Sequence, residues 1–150
     1  MRRKRTIGIA ATVAALFTLS LGAGQASAST VTGTSVSTSW GYAKAKTQWR
    51  LNPYRLDPVY LYVEDKASDG HGVAVRLVTA GAAGTVYYQL RRVSTGVGTA
   101  GEWYTYANPG GWIDRAWIEL CHMEGTTVLR CASSSVMYPA YDDSGNADPF

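Results

Sequence analysis

The sequence predicts an all-β fold, an antiparallel sandwich or small barrel of about seven to eight short strands. Three observations carry that expectation. Apolar residues recur with a period of two, and no long stretch keeps a helical period. Clusters of Gly, Pro, Asn and Asp punctuate the alternating runs at short intervals. The two cysteines, Cys121 and Cys131, flank a turn-forming segment and can clamp one hairpin.

The first 28 residues stand apart. Arg2, Arg3, Lys4 and Arg5 form a positive start, residues 7–21 are apolar except for Gly8, Thr12, Thr18 and Ser20, and Ala26-Ser27-Ala28 is an A-x-A cleavage triplet. The apolar run, about 15 residues, falls short of the ~20 that a membrane-spanning helix needs. This pattern predicts a signal peptide removed after Ala28, a secreted product and no membrane partner after cleavage. Residues 29–39 are rich in Ser and Thr and read as a loose N-terminal segment. Residues 142–150 are acidic, lack strand formers and read as a mobile tail. Residues 40–141 then make one β domain, large enough for a single core.

Within that domain, strands are predicted at 36–42 and 47–51. Val59, Leu61 and Val63 alternate with Tyr60, Tyr62 and Glu64, and Val73, Val75 and Leu77 with Ala74 and Arg76. Val86, Tyr88 and Leu90 alternate with Tyr87, Gln89 and Arg91. A strand follows at 103–106. Ala116, Ile118 and Leu120 then alternate with Trp117, Glu119 and Cys121, and a last strand covers 128–133. Two hairpins follow from this order. Cys121 and Cys131 lie five residues either side of Thr126, so a turn through 124–127 sets them face to face. In an exported chain that pair reads as a disulfide, contributing roughly 2.5–3 kcal/mol by chain entropy. The second hairpin joins 58–64 to 72–79 through the loop 65–71.

One resemblance can be attached to named residues. The run Val63-Glu64-Asp65-Lys66-Ala67-Ser68-Asp69-Gly70-His71, leading into Val75-Arg76-Leu77, resembles a stretch in functionally uncharacterised small secreted proteins of Streptomyces-like, high-GC actinomycetes. So does the late segment Ala116-Trp117-Ile118-Glu119-Leu120-Cys121-His122 with Leu129-Arg130-Cys131. The likeness spans roughly residues 60–131. It implies an exported β domain and carries no active site across.

Charge and chemistry narrow the function. The precursor carries 14 cations and 11 acids, a net charge of +3. Setting aside the four cations of the signal leaves ten against eleven, a net charge of −1. Arg91 and Arg92 fall on opposite faces of a strand. Neither feature suits a polyanion, so nucleic acid is excluded as a partner. His71 and His122 are the only histidines, and the chain has no G-x-S-x-G, no H-E-x-x-H and no phosphate-binding Gly loop. The carboxylates Glu64, Glu102, Asp114 and Glu119 have no spacing that selects a catalytic pair. His71, at a loop end, is the candidate base; His122 shares a strand face with Ile118 and Leu120 and reads as structural. No catalytic residue and no cofactor is assigned. Asp65 and Asp69 are candidate Ca²⁺ ligands, but without an EF-hand ladder they read as turn formers, so no metal is assigned either.

The aromatic surplus remains. All five tryptophans and all ten tyrosines lie after residue 28. Tyr60 and Tyr62 share the strand face opposite Val59, Leu61 and Val63, and Trp103, Tyr104, Tyr106 and Trp112 bracket a Gly/Pro-rich loop. Flat aromatic rings match the C–H faces of sugars. These six residues therefore mark a secreted, non-catalytic recognition domain that binds a polysaccharide or cell-envelope glycan. The alternative is a protein-binding inhibitor of an extracellular hydrolase, with 103–112 as its wedge.

Overall fold

The period-two alternation becomes nine strands in a computed structural model that describes residues 31–51, 54–94 and 96–139. The expected signal peptide and acidic tail lie outside these residues. The strands are β1 (Val31–Ser37), β2 (Gly41–Leu51), β3 (Tyr54–Asp65), β4 (Gly72–Gly81), β5 (Gly84–Tyr87), β6 (Arg91–Val93), β7 (Ala100–Ala107), β8 (Ile113–Glu124) and β9 (Thr127–Ser133). They form two antiparallel sheets, one ordered β1-β2-β3-β7 and the other β5-β4-β8-β9, with β6 also pairing β4. The all-β expectation holds.

The inner faces of the sheets make one core. Ala43, Ala45 and Trp49 of β2 and Leu56, Val59, Leu61 and Val63 of β3 come from the first sheet. Val73, Val75 and Leu77 of β4, Val93 of β6, and Ala116, Ile118 and Leu120 of β8 come from the second. Each fully buried Leu, Ile or Val contributes about 1.5–3 kcal/mol. Pro58 interrupts β3 where its register with β7 shifts, between Leu56 and Val59, the place in a ladder where a missing N–H is tolerated. The Cys121–Cys131 disulfide joins directly paired residues of β8 and β9, with a Cα–Cα distance of 4.0 Å. The disulfide-clamped hairpin is therefore as expected, turning at Gly125 with φ +57°.

Four local expectations are corrected. First, 58–64 and 72–79 do not form a hairpin. β3 and β4 belong to different sheets, and residues 66–71 carry the chain from one layer to the other. The reason is burial: β4 is covered on both faces over most of its length and needs a neighbour on each side within its own sheet. Second, the Ser/Thr-rich segment is an ordered strand, β1, paired along its whole length with β2. Its inward hydroxyls have partners: Trp49 Nε1 donates to Thr32 Oγ1 (2.7 Å), and Thr34 Oγ1 donates to the Ser135 carbonyl (2.9 Å). Third, the strand expected at 36–42 is broken by a turn, in which Thr38 Oγ1 accepts from the Gly41 amide at 3.0 Å. Fourth, the alternation at 86–91 is split into β5 and β6, which lie in succession along β4.

Asp65 fastens the two crossings between layers. Buried at the end of β3, its carboxylate accepts from the amides of Ala67 (3.0 Å) and Gly96 (3.2 Å). Its backbone pairs with Thr99 and Gly98 at 2.8 and 2.7 Å. Replacing Asp65→Ala strands two amide donors, so chemical denaturation should show a loss of about 2–3 kcal/mol. Ser68→Ala in the same connection, at an exposed position, should stay within about 0.5 kcal/mol of the parent.

Candidate functional site

Burial of Val59, Leu61 and Val63 turns Tyr60, Tyr62 and Glu64 to the outer face of the first sheet. Register then decides what stands beside them. On β2, Lys46 pairs with Tyr60, Lys44 with Tyr62 and Tyr42 with Glu64. On β7, Tyr104 pairs with Tyr60 and Glu102 with Tyr62. The outcome is a face of four tyrosines, two lysines and two glutamates across three strands.

Their side chains interlock. The Tyr60 and Tyr104 rings lie 5.2 Å apart with a 51° tilt, and Tyr42 and Tyr62 lie 6.2 Å apart with a 60° tilt. Lys44 Nζ sits between the two central rings, 4.9 Å from the Tyr62 centroid and 5.9 Å from that of Tyr60. The Tyr60 hydroxyl donates to Glu102 Oε2 and the Tyr62 hydroxyl to Glu64 Oε2, each at 3.1 Å. Toward β1 the face falls away, because Gly33 and Ser35 are small. A shallow groove of about 420 Å³ results, bordered by those residues, Tyr42, Lys44 and Lys46.

Desolvation, and then the hydrogen bonds to Glu102 and Glu64, raise the ionisation of Tyr60 and Tyr62 above the ordinary 10.0. At neutral pH Tyr60 and Tyr62 are therefore neutral phenols, set among two lysines and two glutamates. The face can stack on an apolar ring face and exchange hydrogen bonds around its edge.

The residues singled out in the sequence are distributed unevenly. Tyr60, Tyr62 and Tyr104 meet on this face; Tyr104 is 74% exposed. Tyr106, 64% exposed, continues the same side of β7 two residues on. Trp103 turns the other way and packs against the core, over Gly101, where an added Cβ would come within 2.6 Å of the ring. Trp112 lies apart in the loop after β7, its carbonyl accepting from the Ala82 amide at 3.1 Å. Residues 103–107 are strand, so only 108–112 project as a loop. The sequence reading assigns no glycan contact to Tyr42, Lys44 or Lys46 and weighs Glu102 only as a carboxylate without a catalytic partner, although Ala43 and Ala45 alternating with Tyr42, Lys44 and Lys46 is the signal that places the β2 residues.

The candidate Ca²⁺ pair is split. Both carboxylate oxygens of Asp65 are engaged by backbone amides, whereas Asp69 faces His71 and His122. Comparison with protein-family models, curated proteins and solved structures finds no match to this chain.

The tyrosine–carboxylate bonds can be tested by ultraviolet titration of the phenols. Tyr60 and Tyr62 should ionise above pH 10.0, and Glu102→Gln should bring Tyr60 down toward it. The folded chain holds these protons more tightly than the unfolded chain. Stability from this source is therefore intact below pH 10.0 and falls as pH climbs through the folded-state ionisation.

Proposed function

We propose that the protein is a secreted, non-catalytic recognition domain that binds a polysaccharide or cell-envelope glycan on the outer face of the β1-β2-β3-β7 sheet. The observation that carries the reading is the convergence of Tyr42, Tyr60, Tyr62 and Tyr104 with Lys44 and Glu102 on one solvent-facing surface. Sugar rings bury their C–H faces on aromatic rings while their hydroxyls take hydrogen bonds from charged neighbours. The rings here are tilted rather than coplanar, which makes a ridged surface suited to an individual chain more than to a flat crystalline one. Small residues on β1 leave room for such a chain to run across the sheet toward its edge.

Export supports an extracellular ligand. The N-terminal pattern read as a signal peptide, the disulfide, and the absence of any helix among the described residues long and apolar enough to cross a membrane all fit that compartment. The near-neutral charge after residue 28 favours an uncharged or mixed-charge glycan over a polyanion.

A pull-down of the chain from residue 29 on chitin, cellulose, xylan and peptidoglycan tests the proposal. Retention on at least one polymer is expected. Tyr104→Ala should weaken it about tenfold, equivalent to ~1.4 kcal/mol, without lowering the melting temperature. Retention on none of the four sinks the glycan reading. Saturable inhibition of a secreted hydrolase by the same preparation would then favour the inhibitor.

A further inference from the structure

Away from the tyrosine face, Asp69, His71 and His122 come together although the first and last are 53 positions apart in the chain. The fold forces the meeting. β4 pairs with β8 so that Val73 stands opposite His122 and Gly72 opposite Met123. His71, one residue before β4 begins, is thereby delivered beside His122. Asp69 follows because the connection turns tightly, its Oδ1 accepting from the His71 amide at 3.0 Å.

The side chains converge on one point. Asp69 Oδ2 lies 3.0 Å from His122 Nε2, and Asp69 Oδ1 lies 3.5 Å from His71 Nδ1. All three donor atoms fall within 4.8 Å of one another. Ligands on a tetrahedral Zn²⁺ with bonds of about 2.0–2.1 Å stand roughly 3.3 Å apart, and the 3.0 Å approach of Asp69 Oδ2 to His122 Nε2 is already of that order.

Two features separate this group from an ordinary ion pair. His122 is only 6% exposed, and its Nε2 and the His71 Nδ1 are both shielded from solvent, with the one Asp69 carboxylate standing between the two rings. Asp69 approaches His122 Nε2 at 3.0 Å and His71 Nδ1 at 3.5 Å, so one carboxylate serves two shielded ring nitrogens. Polar atoms shielded from water are costly unless well partnered, and a metal ion among these three side chains engages both rings and the carboxylate at once. The His122 ring is also held in place: Trp40 stacks on it at 5.1 Å and 27°, and the Arg130 guanidinium lies 5.6 Å from the Trp40 ring.

We propose that Asp69, His71 and His122 form a transition-metal site of the Zn²⁺ class, with a fourth position open to solvent. Two imidazoles and one carboxylate are borderline donors that select Zn²⁺, Cu²⁺ or Ni²⁺ over Ca²⁺ and Mg²⁺. Asp69 and His71 keep about a third of their side-chain surface exposed (37% and 32%), which leaves the outer side of the site free for water or an exchangeable ligand. The ion ties the inter-layer connection to β8, so it binds the folded chain selectively and stabilises it by mass action. The sulfurs near Glu119 do not compete, because both are held in the disulfide and supply no thiolate.

The test is calorimetric titration of tag-free protein from residue 29, freed of metal by chelator and kept without reductant, with ZnCl₂ at neutral pH. One ion per chain is expected, together with a melting temperature that rises with Zn²⁺ concentration. His71→Ala and Asp69→Asn change one half-buried and one exposed side chain of the connection, outside the main core, and should leave the fold intact. Each should weaken binding by at least the roughly 10–100-fold that losing even an outer partner of a metal site costs. Absence of saturable binding by Zn²⁺, Cu²⁺ and Ni²⁺, or stoichiometric binding undiminished in both variants, overturns the site.

Discussion

Val59, Leu61 and Val63 lie along the centre of the first sheet with no more than 2% of their surface exposed, packed in one cluster with Val73, Val75 and Leu77 of the facing layer. A strand's side chains alternate, so this burial leaves Tyr60, Tyr62 and Glu64 only one place to go. Neighbouring strands inherit the constraint through register. Ala43 and Ala45 turn inward on β2, which lifts Tyr42, Lys44 and Lys46 outward; Trp103 turns inward on β7, which lifts Glu102 and Tyr104. A one-residue slip of β3 would bury two phenols and expose three aliphatic side chains. The platform is thus a consequence of the core, and it is as rigid as the core beneath it.

The crossings between layers are the second constraint. Between Glu64 on the tyrosine face and His71 beside β8 the chain makes a single passage, pinned at its start by Asp65. That passage sends Asp69 and His71 to the end of β8, where His122 is already buried under Trp40. The backbone amide of His71 is the chief cause that lowers the Asp69 ionisation below the ordinary 3.8, with the two imidazoles adding to it. Asp69 therefore stays ionised as an acceptor through the neutral range. Its contribution is present above pH 3.8 and is lost as pH falls through the depressed folded-state value.

Much of this was legible in the residues. The alternation of Val59–Val63 and of Ala116–Leu120 marked core strands, and the placement of Cys121 and Cys131 about Thr126 marked a hairpin that the structure contains. Tyr60 and Tyr62 could be placed on an outer face from period alone. What could not be read was partnership. The loop between β3 and β4 has a length that suits a hairpin, and nothing local says that β4, buried on both faces, takes β8 and β5 as neighbours instead. β1 was hidden because two of its three inward positions, Thr32 and Thr34, are hydroxyls whose partners, Trp49 and Ser135, lie far along the chain. Trp103 and Tyr104 are adjacent in sequence and opposite in space, so a grouping by composition joined what the pleat separates. The Asp69, His71 and His122 group exists only once the β4–β8 register is known.

Amide chemical-shift mapping of the isotopically labelled chain with soluble chitin, cellulose, xylan and peptidoglycan oligosaccharides decides whether the outer face of the β1-β2-β3-β7 sheet is the proposed ligand surface. On that proposal, shifts that saturate with ligand and cluster on Tyr42, Lys44, Tyr60, Tyr62, Glu102 and Tyr104 are expected. Saturating shifts confined to the 108–112 loop or to the opposite sheet, with those six residues unmoved, would contradict it.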